Sequence, residues 1–329
     1  MELKEDLQTY LDRAKPRLRE KIEHSIDLIR KGEALALKYD KENGYFLAFS
    51  GGKDSQCLFH LAQMGGVKFK ANMSLTSIDP PSVIRFVRHH YPEVVLHSPK
   101  ESIYSLAVKR KILPTRRVRW CCADLKESAS AGKVTLTGVR AAESVRRSKR
   151  NEVEVSNKKY SGDIDGFYEW SKEQIGKKHR KINEDEFSMT SDNEVRCMGG
   201  RDTIIINPIV TWSEKDVWDF LNDVCQVPHC ELYDEGFHRI GCILCPMPSL
   251  RQKQIEIKRY PHVKKNWIKA IKEIRNGGGI SERIYMVEHP TKSRRSTDAN
   301  REQMHSNKNG LFSESPVSSG EVTGRKVFS

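Results

Sequence analysis

The chain has 329 residues, 37% hydrophobic and 31% charged, with a formal net charge of +13. That length can bury a sizeable core in one large or two modest domains without staples. No apolar run approaches the roughly 18 residues of a membrane span. The basic balance fits a polyanionic partner, from a nucleotide to a nucleic acid, although part of it lies in an insertion and a tail where charge is commonly just solvated. The opening residues, Met1 to Asp6, are charged and lack the apolar core of a secretion signal, so a cytoplasmic location is expected. Eight cysteines in such a chain are expected to be reduced, metal-bound or catalytic rather than paired.

Leu7, Leu11, Leu18, Ile22, Ile26, Ile29 and Leu37 recur at helical intervals, and Pro16 divides a short helix from a longer one. A helical cap on the core is preferred here to a partner-binding or nucleic-acid-facing arm. Next comes Tyr45-Phe-Leu-Ala-Phe49, then Ser50-Gly51-Gly52-Lys53-Asp54-Ser55, then a helical pattern from Gln56. A buried strand, a tight turn and a helix start in that order make a phosphate-binding geometry. The glycines let backbone approach an anion, the first-turn amides and their dipole attract it, and Lys53, Ser50 and Ser55 add a charge and hydroxyls. The spacing is not that of the Walker loop.

Beyond the loop, strand-like and helix-like segments alternate: strands at 68–77, 94–97, 134–137 and 204–206, helices at 80–91 and 103–111. This predicts an α/β fold with a doubly wound, mostly parallel sheet and right-handed crossovers, binding its ligand beyond the carboxyl ends of the strands. Residues 151–200 break the rhythm as a long charged insertion or a partly disordered loop. Its Tyr160, Phe167, Tyr168 and Trp170, near Lys172, Lys177, Lys178, Arg180 and Lys181, suit either base stacking or anchoring to the core. Residues 248–275 read as helical and Lys-rich, and a flexible tail is expected from about 290. The expected divisions are a helical segment 1–43, a central domain 44–248, a helical segment 249–289 and a tail 290–329.

Cys121-Cys122 opens a helical pattern that reaches Lys126, and Cys242-Ile-Leu-Cys245 is a turn that puts two sulfurs on one side. Together the two pairs could complete a four-thiolate site, for zinc as well as for iron. Cys230 is an alternative fourth ligand, Cys57 reads as a small core residue, and Cys197 and Cys225 carry no motif. Arg140 and Arg147, after a strand end, suit an anion clamp, with Glu143 orienting an arginine.

Ser50 to Ser55 resembles the PP-loop of the N-type ATP pyrophosphatases at every fixed position of Ser-Gly-Gly-x-Asp-Ser. With the two cysteine pairs, with Gly138-Val-Arg140, Glu143, Ser144 and Arg147, and with Asn207-Pro-Ile209, Trp212, Asp216, Val217 and Trp218, residues 44–248 resemble the iron-sulfur branch of the phosphoadenosine phosphosulfate reductase family. The resemblance implies an adenine nucleotide alpha hydrolase-like fold. It also implies a 4Fe-4S cluster on Cys121, Cys122, Cys242 and Cys245, Zn2+ being the alternative. ATP and Mg2+ would be held through Ser50, Gly51, Gly52, Lys53, Asp54, Ser55, Gly138, Arg140 and Arg147. Lys53, Asp54 and Arg140 form the expected catalytic set.

Reductases of this family carry a nucleophilic cysteine in a C-terminal segment, and none follows Cys245 here. The expected function is therefore ATP-dependent adenylation of a substrate, DNA or tRNA being favoured, for sulfur transfer from a donor protein such as a cysteine desulfurase. A sulfonucleotide reductase using Cys197 is one alternative. A nucleic-acid-binding subunit of a DNA modification or defence complex is another.

Overall fold

The computed structural model describes residues 5–145, 147–156, 160–177 and 203–276. Three helices lead in, α1 (Leu7–Arg13), α2 (Pro16–Lys31) and α3 (Glu33–Tyr39). Asp6 caps α1 by accepting the Gln8 amide, and Pro16 at the first position of α2 is preorganised for a helix. Leu18, Ile22, Ile26 and Ile29 of α2 are buried, so this segment covers the core as expected.

The sheet then begins with β1 (Tyr45–Ala48), α4 (Lys53–Gly65), β2 (Phe69–Ser74), α5 (Pro81–His90) and β3 (Val95–His97). The chain continues through α6 (Ile103–Arg110), α7 (Trp120–Leu125), β4 (Val134–Leu136), β5 (Val153–Val155), β6 (Ser161–Gly162) and α8 (Ile164–Lys177). It ends with β7 (Ile204–Ile206), α9 (Glu214–Asp219), α10 (Leu250–Arg259) and α11 (Pro261–Asn276).

Spatial order is β3-β2-β1-β4-β7-β5-β6. The first five strands pair in parallel, whereas β5 runs antiparallel to both β7 and β6. The direction of winding reverses between β1 and β4, and such a switch opens a crevice at the carboxyl ends of the two strands. Ile204, Ile206, Leu47, Val134 and Leu136 have no exposed surface, as a sheet covered on both faces requires.

Two sequence expectations need correction. The start of the expected insertion belongs to the sheet, because Val153–Val155 extends it beyond β7. The 248–275 helix is two helices, since Tyr260 precedes Pro261 and takes φ −130, ψ 63. The aromatics of the segment serve as anchors. Phe167 is buried, Tyr160 packs on Phe167 and Trp170 with centroids 5.3 and 5.2 Å apart, and the Tyr168 hydroxyl donates to Lys31 O. Lys178, Arg180, Lys181, Cys197 and the tail from 290 lie outside the described residues.

Tyr45 ties α2 to the sheet: fully buried, its hydroxyl donates to Ile29 O at 2.7 Å. Tyr45→Phe should lower the unfolding free energy in urea by about 1 kcal/mol, the usual worth of such a bond. An unchanged midpoint would deny the bond its role.

Candidate functional site

The turn after β1 is built for an anion. Gly51 has φ +71, and a Cβ there would lie 2.7 Å from Val83 Cγ1 and 2.9 Å from Val87 Cγ2. Conformation and space both demand glycine. Ser55 Oγ donates to Gly52 O at 2.8 Å and accepts the Ser50 amide at 3.1 Å, which closes the loop. The Lys53 amide donates to the Tyr233 hydroxyl at 2.9 Å. The amides of Gly51, Gly52 and Asp54 have no protein acceptor among the described residues. They sit at the positive end of a helix of 13 residues.

Charged side chains crowd that end. Lys53 is 4% exposed, with Nζ 3.4 Å from Glu214 Oε1, 3.7 Å from Asp54 Oδ2 and 5.6 Å from the Tyr233 ring centroid. Arg140, after β4 and also 4% exposed, donates from Nε to Asp54 Oδ1 at 2.6 Å. This bond is possible because Gly138 has no side chain; a Cβ there would meet Asp54 O at 2.8 Å. Glu143 accepts the Arg140 amide and pairs with Arg147. Burial, and then the positive charge of Arg239, pull the Arg147 guanidinium down to about 10, with Arg119 and Arg150 acting the same way against Asp54. Trp212 is buried in the core.

A cavity of about 180 Å³ opens beside the turn, at the carboxyl ends of β1 and β2. Phe49, Ser50, Asn72, Ser74, Asp79 and Lys126 contribute to its lining, with Ile240 and Gly241 opposite. Of these, only Ser50 stood out in the sequence as a ligand residue.

A second pocket lies next to it, and Cys121, Cys122, Cys242 and Cys245 all line it. Thr76 Oγ1 donates to Cys242 Sγ at 3.3 Å, and Arg119 Nη2 to Cys122 Sγ at 3.1 Å. The Cys122 thiol is pulled down to about 5, by the bond from Cys121 and, against burial, by Arg119, while Cys121 is pushed up. Lys126 lines both pockets. Burial alone would lower its ammonium pKa, but Cys242 and Asp79 outweigh burial and raise it. Cys230 is buried at the start of the turn 231–233 and does not line this pocket, and burial raises its thiol. Cys57 is fully buried on α4.

Among the described residues, no three His, Cys, Asp or Glu side chains converge on the position of a single ion. Four thiols lining one pocket are a donor set that a zinc ion and an iron-sulfur cluster can both take.

Residues 44–248 match the phosphoadenosine phosphosulfate reductase domain, more than half of the chain, and the protein belongs to that family. Membership supports nucleotide binding at the family level. An uncharacterized protein of Methanocaldococcus jannaschii is 26% identical over 282 residues, 82% of this chain but 57% of the relative, so the chain spans little over half of that relative's length. An adenosine 5'-phosphosulfate reductase of Neisseria meningitidis is 39% identical over 61 residues, 18% of this chain and 25% of the relative. Among solved structures, a phosphoadenylyl-sulfate reductase of Candida auris in a phosphate complex aligns with TM-score 0.40 and 17% identity, over 70% of this chain and 95% of that one. The FMN adenylyltransferase of Candida glabrata aligns with TM-score 0.41 and 13% identity, over 72% and 68%. No helix among the described residues is long and apolar enough to cross a membrane.

Gly138→Ala should separate the β4 exit from the helix start. By calorimetry, affinity for nucleotide should fall at least tenfold, with stability lower by about 1–3 kcal/mol as for overpacking. Unchanged affinity would show that this contact does not shape the nucleotide site.

Proposed function

We propose that the protein is an iron-sulfur PP-loop enzyme that adenylates a substrate, most naturally a nucleic acid, for sulfur transfer. One observation carries this reading: the cavity beside the phosphate turn and the pocket of four thiols share a wall, with Lys126 lining both. ATP phosphates would take the free amides of Gly51, Gly52 and Asp54, with Lys53 alongside. Arg140 holds Asp54 in place, which leaves that carboxylate fixed at the helix start for a phosphate-bound Mg2+. Attack of a substrate oxygen on the α-phosphorus would release pyrophosphate, and a sulfur nucleophile would then displace AMP. Cys121, Cys122, Cys242 and Cys245 would hold the cluster, which supplies a site for binding or delivering sulfur. The net charge of +13 supports a polyanionic substrate.

A sulfonucleotide reductase is the second reading, favoured by the reductase names of short-range relatives such as the meningococcal one. Anoxically purified protein should contain iron, lose it in Cys242→Ser, and release pyrophosphate from ATP when tRNA or DNA is present, at least tenfold less in Lys53→Met. Sulfite from adenylyl sulfate and thioredoxin, abolished in Cys197→Ser, would establish the reductase instead. Salt-sensitive nucleic-acid binding without any pyrophosphate release would leave only a binding role.

A further inference from the structure

Glu256 of α10 lies beyond residues 44–248 and has no part in the chemistry above, yet it is 5% exposed. Its carboxylate accepts the Leu244 amide at 2.7 Å and Gln252 Nε2 at 3.1 Å. Leu244 is the third residue of the Cys242–Cys245 turn, which the Cys245 amide closes onto Cys242 O at 3.2 Å. It has φ +56, where glycine is the usual occupant. A leucine stays in that region only when its surroundings over-determine it.

The neighbouring groups do so. The Ile243 amide donates to Ile78 O at 2.8 Å, Lys253 Nζ and Arg116 Nε donate to Pro246 O at 3.3 and 3.0 Å, and Arg116 Nη2 donates to Pro248 O at 3.1 Å. Of these contacts, only the bond to Glu256 holds the left-handed residue itself, and a charged acceptor makes the stronger bond.

We propose that Glu256 is the positioning residue of the Cys-x-x-Cys turn. By fixing the Leu244 amide it aims both sulfurs at the pocket shared with Cys121 and Cys122, so α10 completes the thiol site from outside the family domain. What those sulfurs hold rests on the cluster reading above.

The full chain tests this with Glu256→Leu, which removes the acceptor, Glu256→Gln, which keeps one, and Glu256→Asp, which draws the carboxylate back by one methylene. Hydrogen exchange in the metal-free chain reads the Leu244 amide directly. Iron loss to a chelator, after anoxic reconstitution with ferrous iron and sulfide, reads the site. Glu256→Leu should speed Leu244 exchange at least tenfold and iron loss at least fivefold, with exchange at Leu47 unchanged. Glu256→Gln should recover at least half of both effects on a logarithmic scale. Glu256→Asp should speed Leu244 exchange and iron loss at least threefold and carries the test if Glu256→Leu does not fold. Wild-type Leu244 exchange in Glu256→Leu or, if that does not fold, in Glu256→Asp, or a glutamine variant no better than leucine, would overturn the proposal. If the wild-type chain takes up no iron, the cluster reading fails, while the exchange data still decide the role of Glu256.

Discussion

The bond between Arg140 and Asp54 joins the two strands at which the sheet reverses its winding. Asp54 belongs to the helix after β1 and Arg140 to the loop after β4, and their side chains are 4% and 23% exposed in Arg140 and Asp54. Breaking one side of such a pair leaves a largely buried charge without its partner, a cost of about 3–5 kcal/mol. Gly138 lets the two loops close to this distance, and Gly51 lets the chain turn from strand to helix under α5. Three amides and the positive helix end are thereby aimed into one crevice. The anion site is a consequence of topology, and the ion pair locks it.

From that crevice the chain builds outward through a shared wall. The loop from Thr76 to Pro80 faces the nucleotide cavity with Asp79 and the thiol pocket with Thr76 and Ile78. The Thr76 hydroxyl oxygen lies 3.0 Å from Asp79 Oδ2 and 3.3 Å from Cys242 Sγ, and so bridges the two. Lys126 lines both pockets, and Cys242 and Asp79 both favour its charged form.

The phosphate turn was legible because its chemistry is local: strand, glycines and helix start are contiguous and each imposes its own residue type. The parallel strands and their order of appearance were legible for the same reason. Strands β5 and β6 were not, because three and two residues in a charge-rich stretch carry no period; β5 is a strand through its pairing with Ile204–Ile206, and β6 through its pairing with β5. The four thiols were grouped by spacing and do line one pocket. Asn72, Asp79, Lys126, Glu214 and Tyr233 were missed because they reach the site from separate parts of the chain. No sequence signal marked them, although a lysine four residues after a cysteine pair was a discoverable hint. Glu256 in a Lys-rich helix reads as a solvated charge, and only burial distinguishes it.

The central claim is that one crevice holds an adenine nucleotide next to an iron-sulfur centre. An anoxic crystal structure with a non-hydrolysable ATP analogue, recorded at the iron absorption edge, tests it most directly. The account predicts phosphate density on the amides of Gly51, Gly52 and Asp54, and an anomalous iron peak among the sulfurs of Cys121, Cys122, Cys242 and Cys245. Nucleotide bound away from that turn, or four sulfurs without iron between them, would contradict it.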